Sequence, residues 1–120
     1  MLEILPLEDK ILQESLCLRC GISFDPELLA YGAYADGKPI GICQFAINNN
    51  VGILTDISTI CKNNSLKSLF SLVLAVLNFL DLCGAHTAKC AAKFADERLL
   101  RAVGFSDTNS GMWEIKLSEA

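Results

Sequence analysis

The 120-residue chain has no run of basic residues and a single histidine, His86. Its ten Lys and Arg residues are scattered and outnumbered by fourteen Asp and Glu, which leaves a net charge of −4 at pH 7 and an isoelectric point near 4.8. A nucleic-acid partner is not expected, because phosphate binding needs a concentrated basic surface. Cys17-Leu-Arg-Cys20 is a CxxC pair, but no second CxxC exists and one histidine cannot complete a zinc set. Neither a metal site nor a redox pair is expected there. With three prolines and no Gly- or Ser-rich stretch, the chain shows no linker, repeat or low-complexity segment. Met1-Leu-Glu-Ile-Leu-Pro-Leu-Glu-Asp-Lys10 lacks the basic start and apolar core of a secretory leader, so a cytoplasmic location is expected.

What the chain has in quantity is apolar side chain, 52% against 20% charged, enough for one domain over residues 1–120 with a real core. Six cysteines (Cys17, Cys20, Cys43, Cys61, Cys83, Cys90) lie in apolar segments and read as reduced, mostly buried thiols acting as small hydrophobes. Leu2–Leu7 fits an edge strand that tolerates Pro6. Glu8–Cys20 places Ile11, Leu12, Leu16, Cys17 and Cys20 at helical spacing, with Gly21 as C-cap. Leu28–Ala35 and Lys38–Asn48 flank Asp36-Gly37, a strong hairpin signal. The Asn48-Asn49-Asn50 turn then leads to a strand over Val51–Ile60, which completes an antiparallel meander. Leu66–Cys83 is an apolar helix whose polar residues, Lys67, Ser71, Asn78 and Asp81, form one narrow stripe interrupted by Leu74. It is too short and too polar at Asn78 and Asp81 to cross a membrane, so no membrane partner is expected. His86–Ala92 is the next strand and Asp96–Ala102 a short helix. Ser106–Gly111 reads as a polar loop, and Met112–Leu117 alternates as a last strand.

Strand, polar turn, long helix and strand make a βαβ unit, and a turn at a helix N-terminus is a place where anions bind. The order from Gly52 to the closing Val103-Gly104-Phe105 resembles the acyl-CoA-binding half of the GCN5-related N-acetyltransferases (GNAT). Leu54 to Thr59 covers the strand before that family's phosphate loop. Asn64 takes the loop's basic position, and Ser65, Lys67 and Leu69 take its small-residue positions. The resemblance implies an α/β, GNAT-like mixed sheet of about six or seven strands with the central helix packed on one face. It implies acetyl-CoA as cofactor, lying along Ile57, Ser58 and Thr59, with its pyrophosphate on N–H groups around Asn64, Ser65, Lys67, Ser68 and Leu69. The implied activity is acetyl transfer to an amine whose identity the sequence does not give. Asp56, on the strand that supplies a general base in some members, is the implied catalytic residue.

The chain departs from the family pattern at three places. Its loop has no glycine, Leu100 stands where many members carry a tyrosine that protonates the leaving thiolate, and one helix replaces the family's first two. Those departures are what a non-catalytic binding or dimerisation module with this fold would show. Asp56 has two readings, a half-buried base or a solvent-facing strand carboxylate. Ser65 is a good N-cap in its own right, and Lys62 and Lys67 are either phosphate ligands or solvated charges. Cys61 or Cys90 with His86 is a further pair to weigh as nucleophile and base, and Trp113 and Phe94 read as core. The apolar surplus, including Leu74, points to an exposed patch that a second copy would cover, so a homodimer is expected.

Overall fold

Two turns built from residues that tolerate positive φ organise the first half of the computed structural model, which describes residues 1–60 and 66–117. Strand β2 (Leu29–Ala35) turns into β3 (Lys38–Asn48) through Asp36 and Gly37, at φ 51° and 81°. Strand β3 turns into β4 (Val51–Thr59) through Asn49 and Asn50, at φ 51° and 67°. Two successive positive φ values match the right-handed strand twist, which is why such short hairpins close. Strand β1 (Leu2–Pro6) pairs antiparallel with β2 at the sheet edge, where Pro6 costs no ladder bond.

The second half supplies the crossover. Helix α2 (Leu66–Leu82) carries the chain from β4 to β5 (Thr87–Ala91), and these two strands pair in parallel. A 3-10 turn (Ala92–Phe94) and helix α3 (Glu97–Val103) follow, then β6 (Ser106–Asp107) and β7 (Met112–Lys116). Asp96 caps α3 by accepting the Arg98 N–H, and Gly104, at φ 118°, ends it. The described residues form one seven-stranded sheet in the order β1-β2-β3-β4-β5-β7-β6. The fold is the α/β mixed sheet with a central helix that the sequence led us to expect. One segment differs: Ser106–Gly111 is not wholly loop, because Ser106 and Asp107 pair with Glu114 and Trp113. A two-residue strand is too short to show any periodicity.

The two faces of the sheet are covered separately. On one, Ala33, Cys43, Phe45, Leu54 and Ile57 meet Leu72, Val73, Val76, Leu77 and Leu80 of α2, with Leu99 and Leu100 of α3 and Trp113 alongside. Tyr31, Phe45 and Phe79 extend this core with ring centroids 5.7–6.1 Å apart. On the other face, helix α1 (Lys10–Cys20) packs Leu16, Cys17 and Cys20 on Ala30 and Ile42. Ile11 and Leu12, expected on that buried face, are exposed, and Gln13 takes their place. The spacing 13, 16, 17, 20 is the helical phase that faces the sheet. Among the described residues no helix is long and apolar enough to cross a membrane.

Candidate active site

The site is built where the parallel ladder fails. Strands β4 and β5 are paired from Val51–Thr87 to Leu54–Cys90, yet β4 runs on to Thr59. At the same level β4 carries a bulge: Leu54 faces Phe45 and Asp56 faces Gln44 on β3, so Thr55 is the extra residue. A bulge bends its strand and increases the local twist, which turns β4 away from β5 and re-aims the side chains beside it. The 3-10 turn then packs beside β4 instead of continuing the ladder. The pairing of β4 with β5 ends here, with Asp56 two residues beyond the last parallel rung.

Asp56 is half-buried on the α1 face rather than directed at solvent. Its Oδ2 accepts a hydrogen bond from Gln44 Nε2 at 3.2 Å. Gln44 Nε2 also donates to the Ser23 carbonyl (2.8 Å), and Gln44 Oε1 accepts from Gln13 Nε2 (2.9 Å). Gln13 Nε2 reaches the Leu28 carbonyl as well, while Gln13 Oε1 accepts from Lys10 Nζ at 3.0 Å. Both glutamines are fully buried. This polar line was not anticipated from the sequence. Its signal was there, in a glutamine on the buried phase of α1 and another between Cys43 and Phe45 on a strand that is otherwise apolar.

The thiols surround the same carboxylate but do not compete with it as reactive groups. Burial, and secondly the Asp56 charge, push the Cys90 thiol up to about 12. Burial first, then Asp56, push Cys17 up to about 11. Burial, then Cys90 and Asp56, raise Cys43 well above the usual thiol value. A thiol held protonated is a poor nucleophile at neutral pH, so Cys90 does not serve as one.

The expected cofactor residues fall into two groups. Ile57, Ser58 and Thr59 are buried on β4 past the splay, and Ser58 Oγ donates to the Cys20 carbonyl at 3.2 Å. Lys67 is exposed, Ser68 half-buried and Leu69 half-buried against the α2 core, all in the first turn of α2. Asn64 and Ser65, with Cys61 and Lys62, lie outside the described residues. The first turn of any helix has N–H groups without an intrahelical acceptor, and Leu69 packs its side chain against the core cluster. The described members of the expected cofactor set thus stand at two places, the start of α2 and the part of β4 beyond its last pairing with β5. Leu100, by contrast, is fully buried in the core cluster with α2 and carries no group that could donate a proton.

This arrangement is the fold of the GNAT acetyltransferases. Neither a protein-family model nor a curated protein sequence matches the chain. The structure is similar to that of the ribosomal-protein-S18-alanine N-acetyltransferase from Escherichia coli, with a TM-score of 0.76, 15% identity, and coverage of 100% of this chain and 96% of that one. A GNAT family N-acetyltransferase (YhbS) from Escherichia coli in complex with CoA gives a TM-score of 0.74 at 17% identity, covering 98% and 81%. A probable acetyltransferase from Staphylococcus epidermidis ATCC 12228 gives 0.72 at 13% identity, covering 98% and 100%.

Proposed function

We propose that this chain is an acyl-CoA-dependent N-acetyltransferase. The observation that carries the reading is the end of the β4–β5 ladder at Leu54–Cys90, beside a bulge that sets Asp56 just past the last rung. Acetyl-CoA, when bound, would supply a thioester carbonyl to an amine. The chain's own groups do the rest. Ile57, Ser58 and Thr59 line the arm's path, and the α2 first turn, with Lys67 and Ser68, holds the phosphates together with Asn64 and Ser65. Asp56 takes the proton that the amine loses as its nitrogen bonds to carbon, a role usually worth 10²–10⁴-fold in rate. With Leu100 sealed in the core, the departing sulfur takes its proton from water.

The same sealed Leu100 and glycine-free loop favour a second reading, in which the fold is retained as a non-catalytic binding or dimerisation module. Calorimetry with acetyl-CoA and with CoA separates the two. The proposal expects saturable heat, reduced up to about fivefold in affinity by Lys67→Glu, the range for an exposed ion pair. No heat at millimolar ligand ends the acetyltransferase reading. Binding without thiol release from acetyl-CoA, over a panel of amines, leaves the binding module.

A further inference from the structure

A pair of fully buried glutamine amides between a helix and a sheet is an unusual thing for a small domain to keep. Two leucines would fill similar space without the cost of removing four polar atoms from water. The pair is nevertheless satisfied at every described atom, since no buried side-chain nitrogen or oxygen among the described residues lacks a partner. Its direction is also fixed from both ends. The Lys10 ammonium can only donate, so the Gln13 atom facing it must be Oε1. The Leu28 and Ser23 carbonyls can only accept, so each amide nitrogen must face one of them. Gln44 is then left with one donor direction, and it points at Asp56 Oδ2.

We infer that Lys10, Gln13 and Gln44 form an oriented line whose role is to hold the Asp56 carboxylate in place, with Gln44 as the positioning residue. The inference rests on the reading of Asp56 as the base that accepts the amine proton. A carboxylate one residue past a bulge, on a strand with no parallel neighbour at that level, would otherwise be free to change its χ1 rotamer. Gln44 restrains it by a bond to the acceptor-only carboxylate, and Gln13 restrains Gln44. The cationic end of the line orients both amide dipoles the same way, so each bond strengthens the next. A general base must sit within hydrogen-bond reach of the proton it takes, and small misplacements there are costly in rate.

Two measurements test this, and only one of them needs activity. In the free protein, Hα–Hβ scalar couplings read the Asp56 χ1 distribution. The expected result is a single rotamer in the wild type and rotamer averaging in Gln44→Leu. Because that variant removes one of the acceptors of the buried Gln13 amide and could fail to fold, Gln13→Leu/Gln44→Leu is measured beside it and should show the same averaging. An unchanged single rotamer in either folded variant overturns the inference. In turnover assays, Gln44→Leu should lower kcat at least tenfold with KM for acetyl-CoA within twofold of wild type, and it should have no further effect in an Asp56→Asn background. Independent, multiplicative losses would show that Gln44 acts on folding or on something other than Asp56, and would reject the role. A protein that never turns over acetyl-CoA removes the base reading of Asp56, while the couplings still decide whether the line restrains it.

Discussion

Gly52 tests the packing that the whole site depends on. It lies on β4 directly under α2, and a Cβ built there would sit 2.9 Å from Leu80 Cδ2 and closer still to Cδ1. Carbon contacts settle near 3.5–4.0 Å, so either the leucine or the helix must yield by roughly half an ångström or more. Leu80 is fully buried within the main cluster, where a close-packed interior resists displacement. Overpacking of this kind typically costs about 1–3 kcal/mol, partly offset by the 0.5–1 kcal/mol gained when alanine replaces a flexible glycine. The expected net loss for Gly52→Ala is thus about 0.5–2 kcal/mol, or about 2–8 °C in Tm for a domain of this size. Urea unfolding of Gly52→Ala, Leu80→Ala and the double variant is the informative assay. Leu80→Ala alone should cost about 2–5 kcal/mol by leaving a cavity, but the added methyl should fill part of that cavity, so the double variant should be less damaged than the two losses added together. A Gly52→Ala protein as stable as wild type, or strictly additive losses, would show that α2 does not press on β4 at this point.

Two further outcomes follow from burial and exposure. The Cys17, Cys43 and Cys90 thiols are raised above the ordinary value of 9.0, to about 11 and about 12 for Cys17 and Cys90. The unfolded chain therefore loses these protons first, and stability that is complete below pH 9 should fall as pH rises from there toward 11–12. Urea midpoints at pH 8 and pH 10 check this, and Cys90→Ala should flatten the decline; an equal slope in that variant would remove Cys90 from the account. The homodimer expectation is measured by light scattering, where a mass near twice 13.0 kDa supports it and a mass near 13.0 kDa rejects it. Leu74 is 43% exposed but Ile11 and Leu18 on α1 are 78% and 81% exposed, so Leu74→Lys and Leu18→Lys together locate the contact face. If neither variant weakens a dimer, its contact lies elsewhere.

Much of the fold was legible because local chemistry and the final pairing agree. Asp36-Gly37 and Asn49-Asn50 dictate their turns wherever the strands go, and Gly21 and Gly104 end helices by adopting the left-handed conformation at φ 74° and 118°. The narrow polar stripe of α2 announced a helix covered on most sides. What stayed hidden depends on register, which no window of sequence contains. The bulge at Thr55 has no compositional mark; it exists only as a mismatch between Gln44–Asp56 and Phe45–Leu54 across two strands. The β4–β5 pairing ends at the same level, so the family resemblance could suggest that the strands part but no stretch of residues could locate the place.

The assignment of the α1 face shows why polarity alone misleads. Ile11, Leu12, Leu16, Cys17 and Cys20 are the apolar residues, and counting them puts Gln13 outside. The phase of the helix says otherwise: 13, 16, 17 and 20 share a face, whereas 11 and 18 lie on the opposite one and are exposed. A glutamine on the buried phase requires a partner, and the partner must itself be a polar residue pointing inward from the sheet. Gln44, between Cys43 and Phe45 on a strand buried from Gly41 to Phe45, meets that requirement. Both residues are individually odd and mutually explained. Reading the two oddities together would have located the α1 face of the site, and with it the half-buried Asp56 on the facing strand.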